Sequence, residues 1–152
     1  MLSTAMLAMG LLLAQDHHHH DVDRRGDQVM GFAHDKTMHH FRLFADGGAI
    51  EVTANDTSDT ASRDKIRMHL GHIAKKFAAG DFAAPMLIHN TKVPGTTVMA
   101  AKRAAIEYRY EDLPQGGRVK IKTADKQALA AVHEFLRFQI SDHRTGDSGK
   151  VE

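Results

Sequence analysis

The chain has no cysteine, and that absence removes several chemistries at once. Disulfides, iron–sulfur clusters, thiolate zinc sites and covalent c-type haem attachment all need a thiol. Neither sign of charge is in excess. A formal net charge of +1 leaves no basic footprint for nucleic acid or an anionic membrane. The Gly-x-Ser-x-Gly elbow, the phosphate loop and the dinucleotide fingerprint are also missing. His69-Leu-Gly-His72 has i,i+3 spacing but lacks the glutamate of a metalloprotease helix.

What the chain has is histidine, 12 in 152 residues. Any metal here is therefore held by imidazole, carboxylate or thioether. A chain of this length forms one domain and can bury a core without disulfides.

Residues Met1 to Ala14 are a short apolar run, too brief to span a bilayer as a helix. With Leu12 and Ala14 at the recognition positions, it has the look of the apolar part of a signal peptide. The basic region that precedes such runs is absent, which points to a start further upstream. Export to the periplasm or the extracellular space is the expectation, with a buried N-terminal helix as the alternative. Residues 15–29, with the run His17-His18-His19-His20, read as a charged, flexible segment with weak metal affinity. After cleavage at Ala14, His17 would be the third residue, a position from which it can help enclose Cu(II) or Ni(II) in a square plane. Residues 30–146 are expected to form one α+β domain, and residues 147–152 a disordered tail.

Two hairpins are legible. Phe41 and Leu43 alternate with polar residues, then Asp46-Gly47-Gly48 offers the positive φ angles of a turn, then Ile50 and Val52 alternate again. His39 shares the inward face with Phe41, and His40 points away. The second hairpin runs through Ile106, Tyr108 and Tyr110, past Gly116-Gly117, to Val119 and Ile121. Each hairpin is followed by an amphipathic helix. The first, Ser58 to Ala79, has the stripe Ile66, Leu70, Ile73 and Phe77, with His69 at its border, His72 further round and Gly80 as its stop. The second, capped by Thr123 or Asp125, has Leu129, Val132, Leu136 and Ile140, with His133 and His143 on the same stripe. The repeated order predicts an antiparallel sheet with both helices on one face. Between these units, Met86 to His89 reads as a short strand, and Thr96 to Ala100 as a strand or loop.

An inward histidine needs a hydrogen bond, a carboxylate or a metal. A lone half-buried imidazole more often just hydrogen-bonds, and for His34, His40 and His72 that reading is preferred. His133 and His143 cannot share one ion on a straight helix, since ten residues separate their Cα atoms by ~15 Å. One expected grouping is therefore His133 with His69 and His39, and the other is His143, beside Asp142, with His89 or a loop. Gln139, at the edge of the stripe, is a candidate hydrogen-bond donor to a bound ligand.

Several local motifs, Thr37-x-His39-x-Phe41, Ile66-Arg-x-His69-Leu70, Phe77-x-x-Gly80-Asp81-Phe82, Ile88-His89, Pro94-Gly95, and His133 with Gln139-x-x-Asp142-His143, resemble a group of small exported bacterial proteins. The resemblance covers Asp23 to Gly146. Some of that group carry an aspartate carbamoyltransferase label, yet the Ser-Thr-Arg-Thr phosphate loop of that enzyme is absent here. The resemblance brings no activity with it. It does pick out His39, His69, His89, His133 and His143 as histidines inside shared motifs.

The resulting expectation is an exported domain that binds a transition metal (copper, zinc or iron) or haem b. The metal ligands are drawn from those five histidines, and His69, His133 and Gln139 are the candidates around a cofactor. The alternatives are an enzyme of unknown substrate, metal-dependent or using histidine as acid and base, and a non-catalytic envelope interaction module.

Overall fold

The computed structural model describes the backbone of residues 3–152 and the side chains of residues 15–152. The expected leader therefore lies, in its side chains and its first two residues, outside the described residues.

The order is α1 (Ser3–Met30), β1 (Thr37–Phe44), β2 (Gly47–Ala54), α2 (Thr60–Ala78), α3 (Ala83–His89), α4 (Thr96–Ala101), β3 (Ile106–Leu113), β4 (Gly116–Thr123) and α5 (Lys126–Asp142). The sheet is antiparallel throughout, in the order β1-β2-β4-β3. Period-two alternation lines up Phe41, Ile50, Val119 and Tyr110 as one row across all four strands. Both α2 and α5 pack on this sheet, as the repeated hairpin–helix order predicts. Asp59 caps α2 by accepting from Ser62 N, and Asp125 caps α5 by accepting from Gln127 N and Ala128 N.

The paired glycines do not make the turns. Residues 45–46 and 114–115 form them, and each Gly-Gly opens the following strand. Their second members instead make room for neighbouring strand and helix atoms. A Cβ on Gly48 would lie 2.3 Å from both Leu136 Cδ1 of α5 and the Arg42 carbonyl oxygen of β1, and one on Gly117 would lie 2.8 Å from the Tyr110 ring of β3 and 3.2 Å from Leu70 Cδ1 of α2. Each hairpin thus leaves a slot for one leucine, both of which are almost fully buried. Burying such a side chain stabilises the fold by roughly 1.5–3 kcal/mol.

Four expectations need correction. Met86 to His89 is not a strand but the end of α3. Pro85 is tolerated in its first turn, where the missing N–H has no intrahelical partner, and Asn90 ends the helix at φ 50°. Thr96 to Ala100 is likewise helical, as α4. The buried face of α5 is rotated from the expected stripe. Ala128, Ala131, Val132, Phe135, Leu136 and Gln139 are buried, whereas Leu129 and Ile140 sit at the border. The fold also begins earlier and ends later than residues 30–146. Residues 15–30 continue α1, with Val22 fully buried and Arg25 Nε donating to Ile88 O at 2.7 Å. At the other end, Val151 bridges to Leu43 and Asp147 accepts from Phe41 N at 2.9 Å. Among the described residues, no helix is long and apolar enough to cross a membrane.

Candidate functional site

Four of the five singled-out histidines line one cavity. His39 comes from the start of β1, His69 from the border of α2, His89 from the end of α3 and His143 from the C-cap of α5. The remaining wall is apolar, including Met30, Phe41, Phe77, Ile88 and Phe135, and Gln139 is the other polar residue. Helix α1 lies against α3 beside this cavity. A second, more polar crevice shares Met30, His39 and His143 with it and is bounded by Asp23, His34 and Thr37.

The rings form a contiguous group. His39 and His143 are stacked with centroids 5.8 Å apart and planes 2° from parallel. His89 meets His143 edge-on at 4.9 Å. Phe32 touches both His39 and His69, with centroids at 6.2 and 5.8 Å. Grouping His39 with His143 departs from the expected division, which placed His143 with His89 or a loop.

His133 does not join them. It is buried, and its Nε2–H donates to the carbonyls of Phe44 at 2.9 Å and Gly47 at 3.0 Å, at the turn joining β1 and β2. Phe44 is five residues along β1 from His39, ~17 Å at the strand rise. The expected group of His133 with His69 and His39 is therefore not formed. His40 and His34 are paired with Asp147 and Asp27, and His72 is exposed.

Three of the four, His39, His69 and His143, are held as neutral imidazole. Burial first, then the neighbouring imidazoles His69, His34 and His40, lowers His39 from 6.5 to about 4. Burial, with a contribution from His72, brings His69 to about 4. Burial, then His39 and His89, brings His143 to about 3 against an opposing effect of Asp142. His39 Nε2 is buried with no hydrogen-bond partner. Such an orphan nitrogen is costly in a native interior unless something else engages it.

His89 is the most deeply buried of the four, 1% exposed. Its Nδ1–H donates to Asp142 Oδ2, an acceptor-only carboxylate that fixes the tautomer. Burial works against the Asp142 carboxylate, but His89 and His18 outweigh it and hold its carboxyl below the usual range. The Nε2 of His89 lies 3.0 Å from the Gln139 amide. With that amide turned half a revolution, Gln139 donates to the Nε2 lone pair, and its own nitrogen gains the partner it otherwise lacks.

Sequence reasoning missed the outer part of this site. His18 Nε2 lies 3.1 Å from Asp142 Oδ1, and His19 Nδ1 lies 3.2 Å from Asp142 O. The signal was the sparse line Val22, Gly26 and Met30 at four-residue spacing, which faces α1 inward on the side carrying His18 and His19.

Among the described residues, no three His, Asp or Glu side chains converge as a ready metal site. No family model matches the chain, and neither a curated protein nor a solved structure gives a match.

Proposed function

We propose that the protein binds a transition-metal ion through His39, His89 and His143, with His69 in reserve and Asp142 orienting His89. The observation that carries this reading is the contiguous set of imidazoles with an orphan nitrogen, His39 Nε2, beside an apolar cavity. Metal–nitrogen bonds of ~2.0–2.1 Å put the centres of two imidazoles sharing an ion roughly 5 Å apart, close to the 4.9 and 5.8 Å separations of His143 from its two neighbours. Neutral imidazole is the ligating form. The carboxylate behind His89 is the arrangement that orients ligating histidines elsewhere. Binding needs small rotations of the rings and release of His89 Nε2 from Gln139.

The cavity volume, about 60 Å³, favours a bare ion over haem, since sites for larger ligands span roughly 300–1,000 Å³. Copper, zinc and iron all accept imidazole, so the ligand type leaves the choice of metal open. Export of the chain by its apolar leader belongs to the same proposal and rests on the sequence of residues 1–14.

Titrating full-length protein, prepared without an affinity tag, with Zn(II) or Co(II) tests the reading. Binding at one inner site that is lost in both His39→Ala and His143→Ala, but kept in His133→Ala, supports it. Affinity unchanged in the first two variants would sink it. A second reading, a histidine acid–base enzyme, is favoured by one feature, the Asp142–His89 pair in an apolar setting. Turnover of any substrate by metal-free protein, abolished in His89→Gln, would select it.

A further inference from the structure

We infer that His18, His19 and Asp142 form a second, outer transition-metal site from which an ion is loaded into the inner one, an inference that rests on the metal-binding reading above. Two imidazoles of α1 reach Asp142 at the end of α5, one at its carboxylate and one at its backbone carbonyl. His18 Nε2 lies 3.1 Å from Asp142 Oδ1, and His19 Nδ1 lies 3.2 Å from the Asp142 carbonyl. The two rings are 5.6 Å apart and steeply inclined at 72°. Hydrogen-bond separations of this size are close to the edge of a tetrahedron built on ~2.0–2.1 Å bonds. An ion can therefore take the place of the His18–Asp142 bridging proton, with the His19 ring turning in from the Asp142 carbonyl to join it. The site sits at the C-terminal end of α5, where the helix dipole favours a cation. Arg144, the nearby cation, is drawn aside to Asp16 at 3.6 Å.

Asp142 is what joins the two sites. Its Oδ1 faces the half-exposed His18 and its Oδ2 faces the buried His89. His89 in turn touches His143 at 4.9 Å. The imidazoles thus run without a break in carboxylate or ring contact from the surface, at His18, to the orphan nitrogen of His39. An ion taken up at the half-exposed His18 can pass to rings that are shielded from solvent without crossing the apolar wall.

The test uses tag-free, full-length protein and Co(II), whose visible absorption reports imidazole coordination, by equilibrium titration and by stopped flow. The wild type is expected to bind two ions per chain. His18→Ala/His19→Ala is expected to bind one, with filling of the inner site slowed tenfold or more. Asp142→Asn is expected to lose the outer ion. Chelation by a loose His17–His20 run would survive that change, and its survival overturns the inference. His39→Ala/His143→Ala is expected to keep the outer ion and lose the inner. A wild type that binds one ion, at an unchanged rate in His18→Ala/His19→Ala, overturns the outer site and leaves the inner reading standing. A single ion removed by His18→Ala/His19→Ala but untouched by His39→Ala/His143→Ala overturns the inner reading, and the loading role with it.

Discussion

The Nε2–H of His133 donates to the carbonyl of Phe44 at 2.9 Å and tethers the middle of α5 to the β1–β2 turn. The same nitrogen lies 3.0 Å from the carbonyl of Gly47. A nitrogen that donates to two backbone oxygens has no lone pair for a metal. His133→Ala should therefore destabilise the protein by ~1–3 kcal/mol, the cost of leaving buried acceptors unpaired, and leave the inner metal affinity unchanged. Urea unfolding and a Zn(II) titration on the same variant separate the two effects.

This residue also marks the limit of what the sequence discloses. The hairpins were legible because Phe41, Leu43, Ile50 and Val52 alternate strictly, and α2 because Ile66, Leu70, Ile73 and Phe77 repeat at helical spacing. The short run Met86-Leu-Ile88 has no resolvable period, so its sequence does not distinguish the helix α3 from a strand. Inward direction could be read for His39, His133 and His143, but not which of them meet. That depends on how α5 lies on the sheet. Its mid-section crosses the β1–β2 turn and its end reaches the start of β1, so His143, not His133, arrives at His39. The role of residues 15–30 was hidden because four consecutive histidines and several charges obscure a sparse inward line at Val22, Gly26 and Met30.

Stability should depend on pH through His39, His69 and His143. Their folded values are lowered from 6.5 to about 4, about 4 and about 3, so between those limits the unfolded chain binds more protons than the folded one. Stability is then fully present above pH 6.5 and falls as the pH drops through that value towards 4. Near pH 5, unfolding should take up about three protons at these sites. The urea midpoint of metal-free protein, followed from pH 7.5 to 4, should slope accordingly and flatten in His39→Gln/His143→Gln. The same shifts predict that the inner ion is retained at pH 5.5, where exposed imidazoles release theirs.

Gly95 fixes α4 against α5. It precedes α4 with φ 80°, and a Cβ there would lie 2.2 Å from the carbonyl oxygen of Ala131. Gly95→Ala combines a left-handed backbone, disfavoured by roughly 1–2 kcal/mol for an L side chain, with a clash against the backbone of α5 rather than a flexible side chain. A loss of more than ~2 kcal/mol in urea unfolding is expected, because the clash adds to that conformational cost. Gly71→Ala, where a Cβ would meet nothing within 4 Å, should be stabilising by a few tenths to ~1 kcal/mol.

Gln139 discriminates between a ligand and a cover. Its side chain is buried and engages His89 Nε2 at 3.0 Å, the nitrogen the inner ion is proposed to use. If the amide only occupies that position, its removal frees the lone pair. A hydrogen bond worth ~0.5–1.5 kcal/mol then no longer competes with the metal. Gln139→Ala should accordingly tighten inner-site affinity by roughly two- to tenfold, while lowering fold stability through the cavity it leaves. Were the amide oxygen itself a ligand, the same variant would bind more weakly. A Zn(II) competition titration at pH 7.5 gives the sign, and weaker binding would move Gln139 into the ligand set in place of His69.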